Sequence, residues 1–153
     1  MLENWQNKTL DYDLKKYPWH EWILETIQQI NPRVKDMTTI HELITPEEAW
    51  EIQEFVQNSF KDVVYQKRFE DFAEEYSFKL LGTTDYLIKR QPTLNLVVPN
   101  QVALKRRLPF HQGKWYSNGT GMRTIWMPIT PAHDSNSMYV IDHNESKTIT
   151  HET

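Results

Sequence analysis

Residues that could carry out chemistry are concentrated around His111. The run PFHQ at 109–112 leads into a segment, 113–121, that holds three of the four glycines of the protein. On a strand, side chains at positions i and i+2 point to the same face, so a His-x-Asp or His-x-Glu pair offers two adjacent metal ligands. With one distant histidine, such a pair forms the facial triad that binds non-heme iron(II). Here the i+2 residue is Gly113, so only half of the motif is present, and a lone histidine is more often structural than a ligand.

Apolar residues recur at helical spacing in the first part of the sequence. A first helix is predicted after Pro18, and it should end at Asn31–Pro32 because proline cannot continue a helix. Its apolar face is formed by Trp22, Ile23, Ile27 and Ile30.

A second helix is predicted to start at Thr45. Pro46 suits the first helical position, and Glu48, three residues after Thr45, completes a capping box that pairs two backbone donors. The helical stripe that follows, interpreted as core, consists of Ala49, Ile52, Val56, Phe60 and Val63. A further stripe predicts another helix and consists of Phe69, Phe72 and Tyr76. The acidic run 70–75 is interpreted as a solvated face.

From Ser77 onward the period changes to that of short strands separated by turn residues. The predicted strands are 77–81, 85–90, 93–98, 124–129, 137–141 and 147–150. The sequence therefore predicts a single domain, 1–153, which is mostly helical over 1–76 and β-rich over 77–153.

The composition limits the class of protein. There are 153 residues, of which 39% are hydrophobic and 25% charged, which suits one folded domain. A formal net charge of −4 does not favour a nucleic-acid partner, and the lack of cysteine excludes disulfides, thiolate zinc sites and iron–sulfur clusters. No apolar run is long enough to span a membrane and no signal peptide is visible, so a soluble, cytoplasmic protein is expected.

The stretch around His111 lies within a longer pattern. It begins with QPTLNLVVP at 91–99, continues through PFHQ and the glycine-rich segment, and ends with TIWMPIT at 124–130 and the predicted strand 137–141. This order of motifs resembles the phytanoyl-CoA dioxygenase-like group of iron(II)/2-oxoglutarate oxygenases. Within that group it is most similar to the oxygenases of sporadic carbohydrate-biosynthesis clusters and of aminoglycoside pathways. The specific similarity covers about a third of the sequence.

The resemblance implies an α+β or mainly-β fold, a double-stranded β-helix (jelly-roll, cupin-like) with the N-terminal helices packed on one sheet. His111 would be the first iron ligand, and Trp126 matches a position whose ring lies against bound 2-oxoglutarate. Arg123 and Lys114 are nearby cations that could bind a carboxylate or phosphate. The implied cofactors are iron(II) and 2-oxoglutarate. The implied reaction couples oxidative decarboxylation of 2-oxoglutarate to hydrogen abstraction from a small, carbohydrate-related substrate.

The sequence departs from the family pattern at the second metal ligand. Gly113 replaces the expected carboxylate, as in the non-heme iron halogenases of the same fold, where a halide such as chloride occupies the vacated position. The glycine equally fits a protein that does not bind iron, or one whose carboxylate comes from elsewhere. Asp134 and Asp142 are conceivable donors.

A second departure concerns the late part of the pattern. His133 and His143 lie in turn-like sequence, so His151, on the latest segment, is chosen as the distal iron ligand. No arginine follows Arg123 to bind 2-oxoglutarate. About six strands are predicted where a closed β-helix needs about eight, so we expect an incomplete β-helix that is truncated at its C-terminal end.

Three functions remain open from the sequence. The first is an iron(II)/2-oxoglutarate oxygenase, complete or partial, that hydroxylates a small carbohydrate-type metabolite. The second is a His-x-Gly halogenase. The third is a non-catalytic binding module that uses the same pocket or an open sheet edge. The sequence does not identify the substrate or the oligomeric state.

Overall fold

The structure is a computed structural model that describes residues 9–89, 91–99, 124–133 and 137. These residues form four α-helices, and a 3₁₀ turn at Met37–Thr39 lies between the first and the second helix. The helices are α1 Trp19–Gln28, α2 Ile40–Leu43, α3 Pro46–Ser59 and α4 Val63–Leu81. The helix predicted after Pro18 is thus confirmed as α1.

The start of α3 is fixed by the capping box that the sequence predicts. Thr45 Oγ1 accepts from the Glu48 backbone N–H at 3.2 Å, and the Glu48 carboxylate accepts from the Thr45 N–H at 2.8 Å. The next helix, α4, begins where the Asp62 carboxylate accepts from the Val64 N–H at 2.8 Å. It ends at Gly82, whose φ of 70° lies in the left-handed region that glycine adopts without strain.

The main core lies where α1 packs against α3. Its largest fully buried side chains are Ile27, Val34, Ile52 and Val56. Four of the five predicted residues of the α3 stripe are buried, but Val63 is 75% exposed because it opens α4 rather than continuing α3.

A second cluster, the aromatic cluster, joins Tyr17 and the start of α1 to α4. It consists of Tyr17, Trp19, Phe72 and Tyr76. Phe72 and Tyr76 stack with ring centroids 4.9 Å apart, and Tyr17 meets the edge of Phe72 at 5.2 Å. Such ring pairs add to the stabilisation from burial alone, so this cluster holds the N-terminal segment against the helix.

The predicted double-stranded β-helix, jelly-roll or cupin-like, is wrong. The described residues are helical and contain no strand and no sheet, which conflicts with a mainly-β fold of any kind. The description of the protein as a β-helix dioxygenase with a bound iron loses its structural support with that fold.

The physical reason for the error differs between segments. Residues 77–81 form the last turns of α4, because no helix breaker occurs between the stripe of Phe72 and Tyr76 and Gly82. The described residues of 85–90, 93–98 and 124–129 form no strand. Where 93–98 meets α3, its backbone N–H groups donate to glutamine side chains instead of to a neighbouring strand. Of the other predicted strands, 147–150 and all of 137–141 except Ser137 lie outside the described residues.

None of the helices in the described part of the protein is both long enough and apolar enough to cross a bilayer.

The core predicts a specific cost for truncating Ile52, which is 2% exposed on α3. We expect Ile52→Ala to lower the free energy of unfolding by about 2–5 kcal/mol, because it removes buried methyl groups and leaves a cavity. The neighbouring exposed variant Glu51→Ala should stay within about 0.5 kcal/mol of the parent. Urea unfolding followed by circular dichroism measures both, and equal stabilities would contradict this assignment of the core.

Candidate functional site

The structure places one of the five predicted site residues. Trp126 is 44% exposed in the described segment 124–133. The predicted iron ligands His111 and His151, and the cations Lys114 and Arg123, lie outside the described residues. Their roles therefore stay predictions.

The segment before the metal motif is held on α3 by glutamine side chains. Gln57 Oε1 accepts from the Leu94 N–H at 2.9 Å, and its Nε2 donates to the Pro92 carbonyl at 2.7 Å. One helical turn away, Gln53 Oε1 accepts from the Leu96 N–H at 2.9 Å. We call this set of contacts the glutamine clamp.

The geometry of the clamp follows from two standard repeats. Residues four apart on a helix rise about 6 Å, and residues two apart in an extended segment advance about 6.6 Å. Gln53 and Gln57 therefore match the spacing of Leu96 and Leu94, whose side chains also pack on the main core. The glutamine amides take the place that a neighbouring strand would fill in a sheet.

The segment after the motif is held on α1 by a histidine. The ring nitrogen Nδ1 of His20 lies 2.9 Å from the Ile129 carbonyl oxygen. Because a carbonyl only accepts, Nδ1 carries the proton in this contact. Met127 and Ile129 pack on the aromatic cluster, and Ile129 also reaches the main core.

The segment before residues 100–123 is thus held on α3 and the segment after them on α1, and both contact the main core. Leu94, Leu96, Val98 and Ile129 all contact the main core. The sequence interpretation missed His20, Gln53 and Gln57 in this role. No sequence signal separates two half-buried glutamines on a helix from solvated ones, because their partners are backbone atoms about 40 residues away.

A cleft of about 510 Å³ opens elsewhere on the helices, between residues 16–22 and α4. The N-terminal wall is formed by Lys16, Tyr17 and Trp22. The α4 wall presents one cation and three carboxylates, from Arg68, Asp71, Glu74 and Glu75. The acidic run that the sequence interpretation assigned to solvent therefore also lines a concave surface.

An ion pair with a tyrosine crosses the cleft at one end. The Glu75 carboxylate accepts from Lys16 Nζ at 2.5 Å and from the Tyr17 hydroxyl at 2.8 Å. The hydrogen bond from Lys16, followed by that from Tyr17, lowers the pKa of Glu75. The pKa of Lys16 is raised by the same contact with Glu75, and that of Tyr17 is raised by burial and then by the Glu75 carboxylate.

The described side chains do not include a cluster of metal ligands. In that part of the protein, no three histidine, aspartate or glutamate side chains come together in a way that could hold a metal ion. The described residues therefore do not form an iron site by themselves, and such a site needs His111 or other residues beyond them.

Comparison with known proteins gives no relative from which to transfer a function. No protein-family model matches the sequence, and no curated protein or solved structure is significantly similar to it.

The glutamine clamp predicts a local change in amide hydrogen exchange. Replacing Gln57 by alanine removes its two hydrogen bonds to Pro92 and Leu94, each worth about 0.5–1.5 kcal/mol net. We expect the Leu94 amide to exchange about tenfold faster in Gln57→Ala, as measured by NMR. In the control Gln66→Ala, on α4, it should exchange as in the parent. Unchanged protection of Leu94 in Gln57→Ala would mean that the clamp does not hold this segment.

The ion pair predicts a pH-dependent stability difference. The pKa of Glu75 is lowered in the folded state. Its contribution to the free energy of unfolding is therefore present above the pKa that the carboxyl has in the unfolded chain, and it is lost as pH falls through the pKa of the folded state. Because the pKa of Lys16 is raised, its contribution is lost only as pH rises through its folded value, in the alkaline range.

Glu75→Gln should therefore be less stable than the parent at neutral pH and should converge with it in acid. Urea unfolding at a series of pH values measures the difference. Glu70→Gln, an exposed carboxylate on the same helix, is the control and should show little change at any pH. A Glu75→Gln deficit that persists unchanged into acid would show that the loss is not electrostatic.

Proposed function

We propose that the protein is an iron(II)/2-oxoglutarate oxygenase-like protein that acts on a small, carbohydrate-related metabolite. The proposal rests on the order of motifs around His111. In it, iron(II) and 2-oxoglutarate supply the oxidising chemistry when bound, and His111 is the residue that would bind the metal.

The structural observation that supports the proposal is the anchoring of both flanks of the motif. The clamp at Leu94 and Leu96 fixes the backbone shortly before 100–123, and the contact of His20 with Ile129 fixes it shortly after. A binding segment whose two ends are fixed loses less conformational freedom when it takes up a ligand. The helices would therefore act as a platform for the segment that contains His111.

Trp126 has an exposure that suits the proposed contact with 2-oxoglutarate. Its ring is 44% exposed, while the adjacent Met127 packs on the aromatic cluster. The backbone at this point is thus held by Met127 and Ile129, and the indole is left accessible to a ligand. An amphipathic ring held in this way can contact a small polar molecule with little loss of side-chain entropy.

A second candidate is a non-catalytic small-molecule binding protein. The observation that favours it is the cleft of about 510 Å³ beside α4, which lies within the volume range of ligand pockets and uses no residue of the His111 motif. The two candidates make opposite predictions for metal-dependent binding of 2-oxoglutarate.

The test is an anaerobic titration of the full-length protein with iron(II) and 2-oxoglutarate, monitored through the metal-to-ligand charge-transfer band. We expect the band to form in the parent, to be lost in His111→Ala, and to persist in the control His41→Ala, which alters an exposed histidine on α2. Gly113→Asp should tighten iron binding, because it adds a carboxylate two residues from His111.

The outcomes of this titration separate the alternatives. Binding that requires chloride would favour the halogenase over the hydroxylase. A band that is unchanged in His111→Ala would refute the metal assignment. No band in any variant would refute the oxygenase proposal and leave the binding protein as the supported function.

A further inference from the structure

We propose that the cleft between residues 16–22 and α4 binds a small zwitterion, an amino-acid-like molecule that carries one carboxylate and one ammonium group. The inference is independent of the oxygenase proposal, because none of the residues that line the cleft belongs to the His111 motif.

The carboxylate partner in this cleft is Arg68. Its guanidinium lies over Trp22, with the central carbon 4.0 Å from the ring centroid, and it also lies 5.5 Å from the centroid of Tyr65. Stacking on an aromatic face leaves the N–H groups at the edge of the guanidinium plane free to donate. Within the described part of the protein, none of the hydrogen bonds or ion pairs uses them. The side chain is therefore pre-oriented for a planar oxyanion.

The other charges nearby do not compete for Arg68. Asp71, one turn further along α4, is paired with Lys67 at 2.6 Å. Glu75 is paired with Lys16 and with the Tyr17 hydroxyl. Each of these carboxylates already has a cationic partner, so among the described residues of this wall the guanidinium is left as the cation without a bound anion.

The second charge that lacks an ion pair among the described residues of this cleft is a carboxylate. Glu75 is paired with Lys16, and Asp71 with Lys67, which leaves Glu74 on the α4 wall. Glu74 is exposed and forms no ion pair or hydrogen bond with another described residue, and its charge contributes to the raised pKa of Lys67. A ligand that places a carboxylate on Arg68 and an ammonium group near Glu74 meets both of these charges.

The remaining surface suits a small apolar body. Trp22 and Tyr17 contribute aromatic area to the wall opposite α4, and the volume of about 510 Å³ accommodates a molecule of amino-acid size. The aromatic rings would provide apolar contact, and the two charges would fix the orientation of the ligand.

The experiment is isothermal titration calorimetry of the full-length protein with three matched probes. L-leucine carries both charges, L-leucinamide lacks the carboxylate, and 4-methylpentanoate lacks the ammonium group. We expect saturable binding of L-leucine and at least about tenfold weaker binding of each analogue, because each loses a charge-assisted contact.

The variants assign the contact to Arg68. Arg68→Gln should weaken L-leucine binding by about tenfold or more, and Arg68→Lys, which keeps the charge but loses the planar fork, should weaken it by a smaller factor. The control Arg33→Gln removes an arginine that pairs with Glu48 outside the cleft and should bind as the parent does. Thermal unfolding followed by circular dichroism shows whether each variant is folded. If Arg68→Gln does not fold, the comparison of Arg68→Lys with the parent tests the proposal.

Three results would overturn the proposal. The first is the absence of saturable L-leucine binding by the parent. The second is binding to the folded Arg68 variants that is as tight as to the parent. The third is equal affinity for L-leucine and either analogue, which would show that the cleft does not select a zwitterion.

Discussion

Backbone donors that are shielded from water need partners, and the partly buried N–H groups of Leu94 and Leu96 find theirs on a helix. Leu94 and Leu96 pack their side chains on the main core, so their N–H groups are drawn to the surface of α3. Gln57 accepts from the Leu94 N–H and Gln53 from the Leu96 N–H, and Gln57 also donates to the Pro92 carbonyl. An extended segment is thereby attached to a helix without a neighbouring strand. In a sheet, backbone N–H groups donate to the carbonyl groups of a neighbouring strand. In this segment they donate to glutamine side chains of α3.

This attachment gives the helices a role beyond forming a core. The clamp on α3 and the contact of His20 on α1 hold the two segments on either side of residues 100–123, the stretch that contains the candidate metal ligand His111. Beside α4 lies a different feature, a charged cleft in which Arg68 is stacked on Trp22. The residues that line this cleft do not include any residue of the His111 motif.

Local features of the fold could be predicted from the sequence, and long-range ones could not. The capping box of Thr45 and Glu48 was predictable because both its partners lie within four residues, and the stripe of Ile52 and Val56 because helical periodicity is local. The alternation in 93–98 indicates an extended backbone but not what pairs with it, and that partner, Gln57, lies about 35 residues earlier. Strand prediction therefore failed where side-chain amides replaced a neighbouring strand. For the candidate site, the sequence did not indicate His20, since the carbonyl partner of His20 is a backbone atom with no side-chain signal.

The clamp is the feature on which the anchoring of the motif depends, and nuclear Overhauser contacts in the full-length protein test it most directly. The predicted result is a set of contacts from the Leu94 amide to the side-chain amide of Gln57, together with contacts from the Leu96 amide to the side chain of Gln53. Cross-strand contacts between α-protons of residues 93–97 and another extended segment, in place of those to the glutamines, would contradict it. That result would mean that this segment belongs to a sheet and that the helices do not hold it in the way described.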